Sequence, residues 1–214
     1  MVPYARPVRW ERFFDDLEDQ LAAEWEAERA ALDSEAERLR LARVDLRTRL
    51  VGLSREAEAP VTLELADGLA VEARIAAVGA DWVAAAEPAG GRRMMLAPLH
   101  AIRAVQAAHG DLLRSARPAE RADRLAERVT FALAMRDLAR RRVGVAIGIA
   151  PGADGSSGRS LAGTIDRVGA DHLDLALHDP GVPRRASEVH GYRLLPLAAI
   201  AWVRIDAAAG VPVV

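Results

Sequence analysis

The chain has 214 residues, about half of them hydrophobic and only 4% aromatic, and its 29 basic residues, every one an Arg, face 31 acids. A net charge of −2 gives no global attraction to nucleic acid, so any such binding has to be local. The lack of Cys excludes disulfides and thiolate chemistry, no apolar run approaches the roughly 20 residues that span a bilayer, and residues 1–10 lack the apolar stretch of a secretion signal. A soluble cytoplasmic protein without a membrane partner is expected.

Residues 10–53 contain no Pro, carry Gly only at Gly52 and are rich in Leu, Glu, Ala and Arg, which predicts helix. Trp25, Leu32, Leu39, Leu46 and Leu53 recur every seventh position, behind an i, i+3, i+4 stripe of Trp10, Phe13, Phe14, Leu17 and Leu21. One face can therefore be buried, as in a coiled coil. The helix is expected either to break near Asp33 and Ser34, where Glu37 completes a capping pattern, or to run on and pair with another helix. Residues 11–37 hold eleven acids and two Arg, whereas residues 38–55 hold six Arg and one acid. That polarity suits the helix dipole and also antiparallel self-pairing; the plainer alternative is a solvated face.

Beyond Pro60 the period changes to two. Alternation over 61–65 and 71–77, followed by short apolar segments at 82–86, 94–99 and 102–106, predicts five short strands, with Asp67-Gly68 and Gly79 to Asp81 as turns. A helix is predicted over 119–141, and strands follow over 143–150, 160–168, 172–177, 192–196 and 200–205.

Two blocks return in order. Val78-Gly79-Ala80-Asp81 reappears as Val168-Gly169-Ala170-Asp171, and Pro98-Leu99, Ala101, Ile102 and Val105 reappear as Pro196-Leu197, Ala199, Ile200 and Val203. One unit is thus read as duplicated. The expectation is an α+β protein with a charged helical region over 1–58, a first five-stranded small barrel over 59–110, a connecting helix over 111–142 and a second barrel over 143–214. Burial of Val78 and Val168, Ile102 and Ile200, and Val105 and Val203 should match pairwise.

A leading helix followed by Val-x-Leu-x-Leu-x-Asp-Gly, Ile-x-x-Val-Gly-x-Asp and Pro-Leu-x-Ala-Ile-x-x-Val resembles the Sm-like and SH3-like small barrels over residues 61–106 and 143–205. The repeat is also similar to an uncharacterised actinobacterial family, some of whose members are labelled transcriptional regulators. The Sm-like resemblance implies RNA held by an Asn after the second strand and an Arg-Gly pair near the fourth. Here Asp81 and Asp171 stand closest to the Asn, and an acid repels phosphate.

Other constellations are sparse. Asp81 and Asp171 follow Gly-Ala in tight turns, where a carboxylate caps backbone amides without any ligand. The five His show no metal-ligand spacing, and the Gly-rich segment 151–158 lacks the Gly-Lys of a phosphate loop. No nucleophile, base and acid fall at motif spacing, so neither an enzyme nor a cofactor is expected. Arg140, Arg141 and Arg142 close a segment, 112–142, with nine Arg against four acids, a docking patch for phosphate or an acidic protein if it is not simply a favourable helix end. The leading functional expectation is a non-enzymatic interaction or scaffold module whose helix self-associates or docks a protein partner. A nucleic-acid-binding regulator using the Arg-rich helix is the alternative.

Overall fold

The computed structural model describes residues 8–88, 93–117, 128–152 and 158–206, with backbone alone for residues 8–12. The chain divides into two compact units, residues 1–44 and 45–214.

Within the first unit, α1 (Val8–Ala42) is a single helix of 35 residues, about 52 Å long at 1.5 Å per residue. It does not break at Asp33 and Ser34. Phe13, Phe14, Leu17, Leu21, Trp25, Leu32 and Leu39 are all exposed along it. The break comes at Arg43 to Asp45 instead, because Asp45 caps a new helix, α2 (Leu46–Glu56), by accepting the Thr48 N–H at 2.7 Å. Leu46 and Leu53 therefore leave the heptad line of α1. Leu50 and Leu53 turn inward from α2.

In the second unit ten strands follow: β1 (Val61–Leu65), β2 (Ala70–Val78), β3 (Trp82–Ala86), β4 (Arg93–Pro98), β5 (Ile102–Gln106), β6 (Gly144–Ile149), β7 (Arg159–Val168), β8 (His172–Leu177), β9 (Gly191–Pro196) and β10 (Ile200–Asp206). Among the described residues two helices lie between β5 and β6, namely α3 (His109–Ser115) and α4 (Phe131–Arg140). The part of the predicted second helix before residue 128 lies outside the described residues.

The two closed five-stranded barrels expected from the alternation are not formed. All ten strands make one open antiparallel sheet in the order β5-β1-β2-β3-β4-β10-β6-β7-β8-β9. The reason is the partner chosen by β4: its outer edge bonds to β10, with Val203 opposite Leu96 and Asp206 opposite Arg93. The strands thus join one another across the middle while β5 and β9 remain as ends. The Sm-like and SH3-like barrel resemblance, and the architecture of two barrels it implied, are corrected accordingly.

The wiring on either side of the β4·β10 ladder is nonetheless the same. Register shifts fall between Ile75 and Ala77 and between Ile165 and Arg167. Gly79 N–H bonds Trp82 O, as Gly169 N–H bonds His172 O; Leu99 N–H bonds Asp81 O, as Leu197 N–H bonds Asp171 O. The repeated glycines have a steric cause: a Cβ on Gly79 would lie 2.1 Å from Trp82 Nε1, and one on Gly169 2.5 Å from His172 Cε1.

Two cores flank the central strands. Val83, Ala85, Met95, Ala97 and Ala201 face one core, together with Leu50 and Leu53 of α2. Trp82, Ala84, Leu96 and Val203 face the other, with Phe131, Met135 and Leu138 of α4. Burial on both faces explains why β3 and β4 are continuous apolar runs. It also explains unequal burial at matched positions. Ile200 and Val203 are buried on β10, which has strands on both sides, whereas Ile102 and Val105 on the end strand β5 are half-buried. Val78 is buried and Val168 half-buried.

Candidate functional site

The most organised polar arrangement lies at the joint between the two groups of strands. Asp81 Oδ1 accepts the N–H of Phe131, the first residue of α4, at 2.6 Å. Two residues earlier, the Val129 carbonyl accepts from Ala80 N–H at 2.9 Å and from Trp82 Nε1 at 2.8 Å. The first amides of a helix have no acceptor within it, so an external carboxylate there satisfies a donor and complements the dipole. Thr130 caps the same turn by accepting from Leu133 N–H.

The joint is reinforced along β10. Arg204 pairs with Glu87 at 2.6 Å, both half-buried, and its guanidinium lies 4.6 Å from the centre of the Trp202 ring. Trp202 Nε1 donates to Asp67 Oδ2 at 2.5 Å, tying β10 to the β1–β2 turn. The Trp202 ring lies over Gly148, where a Cβ would come within 2.1 Å of it.

Asp171 occupies the same turn as Asp81 but has a different environment. Its side chain is 90% exposed and accepts from His172 Nδ1 at 2.8 Å. That hydrogen bond holds the Asp171 carboxyl below its ordinary range. The two acids are thus distributed one to the joint and one to the far end of the sheet.

The Arg cluster is taken up locally. Asp137 binds Arg140 and Arg141, each at 2.7 Å, and the bond from Arg140 leads in holding the Asp137 carboxyl low. Arg142 has a left-handed backbone, φ 53°. Its N–H bonds Ala139 O while Val143 N–H bonds Leu138 O, the pair of bonds that closes a helix C-terminus in a Schellman motif. These three residues finish α4.

Beside the joint a trough of about 990 Å³ runs over Gly144, Ala146 and Ala162, with Trp202 and Pro180 among its walls. Its buried His178 is spoken for on both sides. The Asp179 carbonyl, 3.0 Å from Nδ1, can only accept, so Nδ1 donates to it, and Nε2 lies 2.8 Å from Thr164 Oγ1. Among the described residues no three His, Asp or Glu converge as metal ligands, and no helix is long and apolar enough to cross a membrane.

Sequence reasoning singled out the two loop acids but missed the joint between them. The available signal was the exchange of Trp82 for His172 behind an otherwise identical turn. Trp82 is buried against α4, and no ring is needed for that purpose at His172. No family model, curated protein or solved structure matches this chain, so the functional reading rests on its own geometry.

Proposed function

We propose that the protein is a non-enzymatic interaction module that self-associates through α1. The observation that carries this reading is the exposed stripe Phe13, Phe14, Leu17, Leu21, Trp25, Leu32 and Leu39. An apolar stripe of that length facing water is unfavourable by roughly 25 cal/mol per Å² of apolar surface left uncovered, and a matching helix removes the cost. Charge selects the partner and its direction. In an antiparallel pair, Arg38 and Arg40 of one helix lie beside Asp15, Asp16, Glu18 and Asp19 of the other, whereas a parallel pair sets acids against acids.

The full-length variant with Trp25→Asp, Leu32→Asp and Leu39→Asp tests it by sedimentation velocity and circular dichroism. The expected result is a lower mass at equal concentration with the sheet unchanged. An unaltered mass would remove α1 from the assembly. Phosphate docking at Arg140 to Arg142 is the weaker reading, since Asp137 already engages two of the three.

A further inference from the structure

The central joint has two sides, a strand edge with a loop acid and a strand edge with a helix start, and each end of the sheet carries one of these without the other. Matched through the ladders, β9 stands where β4 stands, because Pro196 faces His172 as Pro98 faces Trp82. Likewise β5 stands where β10 stands, because Val105 faces Leu63 as Val203 faces Ile147. The helices match as well: Asp45 caps α2 as Thr130 caps α4, and Leu50 and Leu53 are buried as Met135 and Leu138 are. Leu46 therefore corresponds to Phe131.

Exposure follows this pairing. Leu96 is 2% exposed under β10, but Leu194, its counterpart on β9, is 66% exposed, and Tyr192 beside it 61%. Phe131 is 3% exposed against the joint, but Leu46 is 43% exposed. Among the described residues β9 pairs with β8 and β5 with β1, and neither has a second strand. An edge with large apolar side chains and unpaired backbone groups is a template for another strand.

We propose that a second copy of this chain docks head to tail at these ends, using the geometry of the internal joint. The β9 strand of one copy takes the β5 strand of the next, with Leu194 opposite Val105, Arg193 opposite Gln106 and Tyr192 opposite Ala107. Asp171 turns from His172 to accept the N–H of Leu46 at the start of the next copy's α2, and the Leu46 side chain settles on His172 and Leu194. The contact is heterologous, so it leaves a free end on each copy and extends until a ring closes or a filament grows. It is weaker than the internal joint. Gln106 and Leu177 stand where Arg204 and Glu87 form their ion pair, so no salt bridge reinforces it. Docking is accordingly reversible and concentration-dependent.

This inference uses surfaces distinct from α1, so the test is run in the full-length chain bearing the three α1 substitutions, where helix pairing is silenced. The native sequence has no Cys, which makes disulfide trapping clean. Val105→Cys combined with Leu194→Cys is expected to give a ladder of covalent multimers under mild oxidation, and none when the protein is diluted before oxidation. Adding Asp171→Ala or Leu46→Asp should reduce the ladder several-fold. Leu194→Cys alone should give no cross-links. That single variant keeps the docking surfaces and lacks only the disulfide partner, so cross-linked dimers from it would show β9 meeting β9 and overturn the head-to-tail arrangement, and the absence of cross-links in the double variant would overturn docking altogether. As a check independent of cysteine, Leu194→Arg, at an exposed position, should keep the melting temperature and lower the concentration-dependent mass; an unchanged mass would count against the proposal.

Discussion

Asp81 and Asp171 follow the same Gly-Ala turn, yet Asp81 binds the first amide of α4 while Asp171 faces water beside His172. Asp81→Ala is therefore expected to cost about 1 kcal/mol of stability, a typical net hydrogen bond, and Asp171→Ala less than about 0.5 kcal/mol in the dilute monomer. Denaturant midpoints of the two variants measure the difference. Asp45 supplies a pH-dependent contribution. Its hydrogen bonds with Thr48 hold the carboxyl below the ordinary value, so the stabilisation is fully present above the unfolded range, near pH 4, and is lost as pH falls through the lower folded value. Asn caps almost as well without titrating. Asp45→Asn should thus keep the neutral-pH stability and flatten the acid limb of a stability profile. At the other end of α4, Arg142 bears a left-handed backbone that favours Gly. Arg142→Gly is expected to raise stability by up to about 1 kcal/mol, although it removes a positive charge from the helix end.

The strands β5 and β10 carry matching apolar residues and differ in their neighbours. Ile200 is buried on β10, which lies between β4 and β6, whereas Ile102 sits on an end strand. Large-to-small substitutions cost more where the cavity stays closed, so Ile200→Ala should lose roughly 2–5 kcal/mol and Ile102→Ala distinctly less. Equal losses from chemical denaturation would mean that β5 is as enclosed as β10. Among the described helices, α2 buries Leu50, Val51, Gly52 and Leu53, α4 buries Phe131, Met135 and Leu138, and each caps its first turn with a side chain. By contrast, α1 carries its large apolar residues in the open. Propensity alone makes α1 helical; burial makes α2 and α4 stay where they are.

Residues 45–214 form one unit because the central ladder shares strands between two cores. Unfolding either core exposes β3, β4 and β10 on one face and takes their ladder away from the other. A single cooperative thermal transition is expected for this unit, with calorimetric and van't Hoff enthalpies in agreement. Two separated transitions would show that the joint couples the cores weakly. The ion pair of Arg204 with Glu87 belongs to this coupling, and Glu87→Gln should lower the midpoint without splitting the transition, since it leaves the half-buried Arg204 without its charge partner.

Local chemistry determined much of this protein from the sequence alone: the helical N-terminal region from composition, the strands from period-two alternation, and the turns from Asp67-Gly68 and the two Gly-Ala-Asp triplets. Those features depend on each residue and its near neighbours, so a linear reading reaches them. Whether each group of five strands closed on itself or opened onto the other depended on which edge β4 would bond. That is a contact between residues more than a hundred positions apart, Leu96 and Val203, and both outcomes satisfy the same alternation. The helix break at Asp45 and the separate roles of Asp81 and Asp171 were decided in the same way. A cap or a carboxylate can be read from its residue type, but the amide it binds is brought to it only by the tertiary fold.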